Sequence, residues 1–185
     1  MKIFYYNLQK DTTLREPLRY NAAMDERYEI IIVSDNHGMS MPLYDLLSQY
    51  PDADYFFHLG DSEMPYGANS LFACVRGNND WDPEYPDELF LTIGKFRFFL
   101  THGHLYGCSY SLDPMKTIAK RKECDIVCFG HTHVYMDYTE DGVRFLNPGS
   151  IRANRDGSEP SYMHVVINGD QISVERITYS FSLQR

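Results

Sequence analysis

The chain has 185 residues and a formal net charge of −9 at pH 7, because 26 acidic side chains outnumber 17 lysines and arginines. This length favours a single domain with one hydrophobic core. The acidic balance argues against binding of a nucleic-acid polymer, which needs a basic stripe, but a bound metal could still attract a small anionic substrate.

Cysteine spacing and hydropathy predict a cytoplasmic protein. The four cysteines form no C-x-x-C pair and are interpreted as reduced thiols: Cys74, Cys108, Cys124 and Cys128. No run approaches the roughly 18 apolar residues of a membrane helix, and the N-terminus lacks the apolar core of a signal peptide. We expect no membrane partner.

Residues 1–23 differ from the rest of the chain. They carry a net charge of +2, from four basic and two acidic side chains, and Pro17 interrupts any long helix. Met24 directly precedes the first predicted strand. Two interpretations stay open: a dispensable extension with Met24 as the true start, or an arm that packs on the body. Residues 24–185 are predicted to form one domain.

The first half of the chain predicts buried strands and one helix. Residues 28–34, 55–59 and 71–76 are apolar runs of strand length, typical of buried strands. Between the first two runs, Pro42 at a first helical position precedes three leucines, which predicts a short helix to about Tyr50.

The second half predicts mainly hairpins. Tight turns at Gly94-Lys95, Asp141-Gly142 and Asn168-Gly169 each separate two apolar runs. Asp113-Pro114 opens a predicted helix to Lys122, and a strand over residues 125–129 follows. Helical crossovers combined with hairpins predict an α/β protein of two stacked mixed sheets with helices outside.

Polar side chains follow directly after these predicted strands. They are Asp35, His37, Asp61, Asn78, His102, His131 and His133. Oxygen and nitrogen ligands without a thiolate suit Mn²⁺, Zn²⁺, Fe or Ni²⁺. A lone histidine or Gly-Asp at a strand end is usually a loop or turn residue, but their agreement here predicts a metal centre. The set suffices for two metals if one carboxylate bridges, and such a pair can clamp a phosphoryl group.

Five short motifs resemble the signature of the calcineurin-like metallophosphoesterases. They are Asp35-x-His37, Gly60-Asp61, Gly77-Asn78-x-Asp80, His102-Gly103-His104 and Gly130-His131-x-His133. Their order and short spacings are similar to the small bacterial and archaeal phosphodiesterase branch, over about residues 30–150. The resemblance implies a four-layer α/β/β/α sandwich of two mixed β-sheets flanked by helices.

The resemblance also implies two divalent metal ions, with manganese favoured over zinc, nickel or iron. One ion is expected on Asp35, His37, Asp61 and His133, and the other on Asp61, Asn78, His102 and His131. Asp61 would bridge them. The implied activity is hydrolysis of phosphate diesters by attack of a metal-bridging hydroxide, with Asn78 as a neutral oxygen ligand.

Asn79 departs from the pattern, because many relatives have a histidine there that aids departure of the leaving group. An amide can donate to a phosphoryl oxygen but cannot deliver a proton at neutral pH. We therefore expect slower chemistry that favours good leaving groups. Asp80 is predicted to orient Asn79 or a metal-binding histidine, against a simple Asx turn. His104 is predicted as a proton donor or phosphate contact, against a hydrogen-bonded structural histidine.

Substrate contacts are predicted at Asn36 and Arg152. Arg152 and Arg155 follow the turn at residues 147–150 and could hold a phosphate by bidentate contacts, while solvated surface arginines are the alternative. His58 is interpreted as a core or sheet-surface histidine. Glu63 lies close to the position where larger relatives often place an aspartate, and it receives no role.

Three functions follow from these patterns. The leading prediction is a dimetal phosphodiesterase acting on a small phosphate ester, in a protein that could form a homo-oligomer. One alternative is an interaction scaffold, since a eukaryotic retromer scaffold subunit resembles this fold with degraded metal chemistry. The other is a phosphomonoesterase, which the missing histidine at position 79 mildly disfavours.

Overall fold

Short apolar runs build the centre of the structure, a computed structural model that describes residues 26–180. The strands are β1 (Arg27–Val33), β2 (Tyr55–His58), β3 (Ala73–Cys74), β4 (Glu88–Ile93), β5 (Phe96–Thr101), β6 (Ile126–Cys128), β7 (Tyr135–Glu140), β8 (Val143–Pro148), β9 (Ser161–Asn168) and β10 (Gln171–Thr178). The helices are α1 (Met41–Gln49) and α2 (Asp113–Arg121), and a short 3-10 helix spans His104–Tyr106. The predicted extension, residues 1–23, and the question of Met24 lie outside the described residues.

The strands form two mixed five-stranded sheets. The strand order is β10-β9-β1-β2-β3 in sheet 1 and β4-β5-β6-β8-β7 in sheet 2. Strands β1, β2 and β3 run parallel to one another, as do β5, β6 and β8. The remaining pairs are antiparallel. Hairpin turns connect β4 to β5, β7 to β8 and β9 to β10, whereas β1 and β9 pair across a long stretch of chain.

Three apolar clusters separate four layers. The inner faces of the two sheets meet in a core that includes Ile30, Phe57, Phe98 and Val165. Helix α1 buries Leu46 against the outer face of sheet 1, in a cluster with side chains of β1. Helix α2 packs in the same way on sheet 2. The predicted α/β/β/α sandwich is therefore confirmed.

Strand β3 is shorter than predicted. The apolar run over residues 71–76 predicts a strand, but only Ala73 and Cys74 pair with β2. Leu71 is 65% exposed, and Phe72 packs in the cluster beneath α1. The run is apolar because Phe72 packs in that outer layer and Val75 packs in the inner core, although only two residues pair at this edge of the sheet.

The parallel strands determine where polar loops meet. Because parallel neighbours end at the same edge of a sheet, the loops after β1, β2 and β3 lie together, as do those after β5, β6 and β8. The two edges face each other across the sandwich, and His102 Nδ1 donates to Leu59 O across it at 2.6 Å. Within residues 26–180, no helix is long and apolar enough to cross a membrane.

Candidate metal centre

The loops at this edge have an unusual backbone. Six non-glycine residues there have positive φ: Asp35, His37, Asp61, Glu63, His131 and His133. This conformation costs roughly 1 kcal/mol or more per residue, and such strain clusters at functional sites. Main-chain hydrogen bonds hold the first loop, since His37 N donates to Asp61 O at 3.1 Å and Gly38 N donates to Ser62 O at 2.9 Å.

Asp35 occupies the middle of the site and is fully buried. Its Oδ1 lies 3.1 Å from His133 Nε2, 3.9 Å from His102 Nε2 and 4.0 Å from His37 Nε2. Its Oδ2 accepts hydrogen bonds from Ser34 and from the backbone of His131. Among the described residues, Oδ1 has no hydrogen-bond partner, so one carboxylate oxygen is left facing three imidazoles.

The same three imidazoles use Nδ1 to hold their position. The acceptors are Glu63 Oε1 at 2.7 Å from His37, Leu59 O at 2.6 Å from His102 and Ala153 O at 3.1 Å from His133. Because these oxygens only accept, each Nδ1 carries a hydrogen, and in the neutral form of each ring the Nε2 lone pair is turned towards Asp35. This arrangement is typical of histidines that bind a metal.

Two of these nitrogens face each other closely. His37 Nε2 and His133 Nε2 are 3.2 Å apart, although in the neutral rings both would present lone pairs. A proton or a cation between them removes the repulsion. The structure therefore fits a positive charge at this point.

Asp61 and His102 form the second part of the site. Asp61 Oδ2 lies 3.5 Å from His102 Nε2, and Asn79 donates to the carboxylate through its backbone N at 2.8 Å and its Nδ2 at 2.7 Å. The candidate ligand groups are Asp35 with His37 and His133, and Asp35 with Asp61 and His102. They share Asp35, whereas the bridging role implied for Asp61 stays a prediction.

The charges within this site balance one another. Burial alone would raise the pKa of Asp61, but the nearby His102 imidazole, when protonated, and the hydrogen bonds from Asn79 hold this pKa well below its usual range. Burial would likewise raise the pKa of Asp35, which His133 and His102 instead lower. The two carboxylates in turn raise the pKa of His102 despite its burial. Both carboxylates are thus held ionised, as metal ligands must be.

His131 and His104 lie on the His102 side. The ring of His131 is centred 5.2 Å from that of His102 and 6.2 Å from that of His104. Burial and the charge of His102 lower the pKa of both rings. His104 Nδ1 is buried without a hydrogen-bond partner in the described part of the chain.

Asn78 and Asp80 occupy different positions. Asn78 is exposed, and its side chain makes no hydrogen bond within residues 26–180. The Asp80 carboxylate accepts from the backbone N of Asp61 at 2.9 Å, Gly77 at 2.7 Å and Glu63 at 2.7 Å. This geometry favours support of the Asp61 loop rather than contact with substrate.

Asn36 is fully buried, in contrast to its predicted role as a substrate contact. Its Oδ1 accepts from His58 Nε2 at 2.8 Å, and its Nδ2 donates to Met39 O at 2.9 Å. His58 Nδ1 in turn accepts from Gly60 N at 3.2 Å, and burial lowers the pKa of His58 to about 4. The pair links the loops after β1 and β2, and its geometry favours a supporting role for Asn36.

Sequence reasoning missed two supporting features. Glu63 orients His37, and the only signal was its position two residues after Asp61 in a loop at the same edge. In the segment after β8, Ser150 Oγ donates a hydrogen bond to Asp35 O at 2.8 Å, and Ala153 O accepts one from His133 Nδ1. From the same segment, Arg152 donates to His37 O at 3.0 Å and Arg155 to His131 O at 3.2 Å.

The residues at this edge fit a divalent cation. Their donors are carboxylate oxygens and imidazole nitrogens, which suit Mn²⁺, Zn²⁺ or Fe. Buried Asp35 Oδ1 and His102 Nε2 are polar atoms without a hydrogen bond in the described residues, and such atoms are costly unless something binds them.

Comparison with known proteins gives consistent matches. A model of the calcineurin-like phosphoesterase superfamily domain matches residues 28–170. A Bacillus subtilis protein named probable metallophosphoesterase YsnB is 34% identical over 148 residues, which cover 78% of this chain and 88% of that protein. A crystal structure from Streptococcus pneumoniae TIGR4, described as a predicted phosphoesterase, has a TM-score of 0.78 and 32% identity, with 83% of this chain and 90% of that chain covered.

More distant structures share the fold. Vacuolar protein sorting 29 from Cryptosporidium parvum has a TM-score of 0.66 at 21% identity, with 84% of this chain and all of that chain covered. An archaeal phosphodiesterase has a TM-score of 0.64 at 20% identity, with 82% and 100% covered. Identities this low support the architecture alone.

Proposed function

Because this chain belongs to the calcineurin-like phosphoesterase superfamily, we propose that it is a dimetal-dependent phosphodiesterase acting on small phosphate diesters. One observation carries the proposal: three imidazole Nε2 atoms converge on the unpartnered Oδ1 of buried Asp35. A filled set of ligand-type residues favours an enzyme over a scaffold, which has no need of such a strained, charged cluster.

The proposed ligands of one ion are Asp35, His37, Asp61 and His133, and those of the other are Asp61, Asn78, His102 and His131. Manganese is the favoured metal. Two divalent cations would supply Lewis acidity towards a phosphoryl oxygen and a water of lowered pKa.

Asn79 and His104 are the proposed contacts of the phosphoryl group. The Asn79 amide has two N–H donors, of which one holds Asp61 at 2.7 Å and the other is available to a phosphoryl oxygen. His104 has a lowered pKa, because of burial and then the charge of His102, so its neutral ring can donate a hydrogen bond. Asp80 positions the Asp61 loop through backbone donors.

Hydrolysis of bis(p-nitrophenyl) phosphate tests the function, beside p-nitrophenyl phosphate as the monoester. The enzyme is chelated and then reloaded with Mn²⁺, Zn²⁺, Ni²⁺ or Mg²⁺. We expect diester hydrolysis that requires metal and falls about 100-fold or more in Asp61→Asn, since loss of a charge-stabilising group commonly costs this much. Asp170→Asn makes the same change on an exposed turn and should retain full activity.

The alternatives give different results. No turnover by protein shown to hold metal would refute the enzyme and favour a scaffold. Faster hydrolysis of the monoester would refute the diester preference and indicate a phosphomonoesterase.

The proposed location is the cytoplasm. All four cysteines are buried free thiols, a state that suits a reducing compartment.

A further inference from the structure

Two exposed arginines flank the candidate centre. Arg152 Nη1 donates to the carbonyl of His37 at 3.0 Å, and Arg155 Nη1 donates to the carbonyl of His131 at 3.2 Å. A guanidinium has five N–H donors. Each of these side chains therefore uses one contact to approach a site histidine and keeps most of its donors for solvent or ligand.

The charges of these arginines are not neutralised by neighbours. Among residues 26–180, no carboxylate lies within ion-pair distance of either guanidinium, whereas Arg76 pairs with Asp87 and Arg144 with Asp137, both at 2.7 Å. The chain has nine more acidic than basic side chains. Two unpaired cations beside its carboxylate-rich centre therefore form a local positive field that can attract and orient an anion.

The backbone that carries the arginines is well held. Ser150 Oγ accepts from Arg152 N at 3.1 Å and Ala153 N at 3.0 Å, while Ser150 N donates to Asn154 Oδ1 at 2.7 Å. Arg155 N donates to His133 O at 3.0 Å. A fixed segment lowers the entropic cost of binding, so the two side chains start from a preorganised position.

The contacts attach the two guanidiniums to different loops of the site. Arg152 lies on the His37 side, and Arg155 lies on the His131 side, where its charge adds to burial and the charge of His102 in lowering the pKa of His131. Both arginines bind main-chain carbonyls at the rim, whereas the proposed phosphoryl contacts Asn79 and His104 lie on the Asp61 and His102 side.

We propose that Arg152 and Arg155 form a second anion subsite, which selects phosphate diesters that carry a further phosphate group beside the scissile one. This inference rests on the proposed function and specifies its substrate class. Guanidinium groups bind phosphate through paired N–H donors, which gives both charge and geometric fit.

Two thymidine esters isolate this subsite. Thymidine 5′-(p-nitrophenyl phosphate) and its 3′-phosphorylated counterpart share the scissile bond and the leaving group, and differ only in the additional phosphate. For the wild type reloaded with Mn²⁺, we expect kcat/KM to be about tenfold higher for the 3′-phosphorylated ester, as one charge-assisted contact predicts. Rising salt should shrink this ratio, because both arginines are exposed.

Three variants assign the effect. Arg152→Gln and Arg155→Gln should each lower the ratio of the two kcat/KM values, and the double variant should bring it to about one, since both subsite charges are then absent. Arg121→Gln removes the same charge from the exposed end of α2 and should keep the wild-type ratio.

Binding measured by calorimetry makes the outcome independent of turnover. Wild type reloaded with Mn²⁺ should bind thymidine 3′,5′-bisphosphate about tenfold more tightly than thymidine 5′-monophosphate, and the double variant should lose this difference. Equal affinities in the wild type would overturn the subsite whether or not the protein is active. Metal-dependent hydrolysis with a ratio of one would also overturn it while leaving the proposed function intact, and selective binding without hydrolysis would refute only the phosphodiesterase.

Discussion

At the scale of single residues, the centre depends on a glycine, Gly130, where any side chain would collide with the site. A Cβ added at Gly130 would overlap Ser34 Oγ and lie 2.8 Å from Asp35 Oδ2. Gly130 has no positive φ, so it is required for space and not for backbone conformation. Because Gly130 has no side chain, the loop after β6 can approach Asp35, and this brings His131 and His133 into the site.

Gly130→Ala should therefore damage the metal centre without straining the backbone. The added methyl displaces the Asp35 carboxylate, and we expect Mn²⁺ affinity to fall about tenfold or more, the size of effect seen when metal-supporting groups are lost. Calorimetric titration of chelated protein measures the affinity. Gly157→Ala is the control, because its Cβ meets open space, although its positive φ costs about 1 kcal/mol of stability. Equal metal affinities in the two variants would contradict this account.

At the scale of elements, strand β2 ends in a histidine that is fully buried. Burial lowers the pKa of His58 from 6.5 to about 4, so the folded protein keeps this ring neutral while the unfolded chain protonates it near pH 6.5. The free energy of unfolding is then fully retained above pH 6.5 and decreases as the pH falls towards 4. From the pKa difference, this one group accounts for about 3 kcal/mol.

His58→Gln tests the pH dependence of β2. Glutamine does not titrate, so the variant should lose about 3 kcal/mol less than wild type between pH 6.5 and 4, even if it is less stable at pH 7. Urea unfolding across this range, in chelator to keep metal out, gives both curves. If the free energies of unfolding of wild type and variant fell in parallel, His58 would not be the cause of the loss of stability between pH 6.5 and 4.

Strands covered on both faces were predictable from their apolar runs, whereas the extent of a weakly paired strand was not. The runs that became β1, β5 and β6 are apolar because both faces of these strands are covered. The length of strand β3 was overestimated, because an apolar run indicates that residues are buried but not that they pair in a sheet. Phe72 is buried beneath α1, directly before the first residue of the strand.

The candidate site was predictable to the level of residue types and place. Parallel strands bring their following loops to one edge, so Asp35, Asp61 and His102 could be expected to meet. Side-chain direction was not predictable, and the candidate groups share Asp35 where the resemblance implies Asp61. Main-chain carbonyls such as Leu59 O and Ala153 O, which orient histidines, leave no trace in a residue pattern.

At the scale of the whole molecule, the centre joins the two sheets. Asp35, His37 and Asp61 follow strands of sheet 1, while His102 and His133 follow strands of sheet 2. No single sheet holds all of these donors. A metal ion should therefore hold the two sheets together in the folded protein and bind the unfolded chain far more weakly.

Mn²⁺ should raise the free energy of unfolding. At a free concentration about 100 times the dissociation constant, one bound ion contributes about 2.7 kcal/mol. Chemical unfolding with Mn²⁺ and with chelator measures the difference. Asp61→Asn should lose most of it, while Asp170→Asn, an exposed site on the β9–β10 turn, should keep it. Unfolding midpoints that do not respond to metal in the wild type would contradict a site that spans both sheets.

The strand order also has a consequence for synthesis on the ribosome. Strand β1 lies inside sheet 1 between β2 and β9, and Ile30 pairs with Val165, which is 165 − 30 = 135 residues later. At ordinary translation rates that interval is on the order of ten seconds. During it, the edge of β1 carries three isoleucines and unpaired backbone groups, a template for association with other chains. Chains that end before β9 should therefore aggregate more readily than the 185-residue chain.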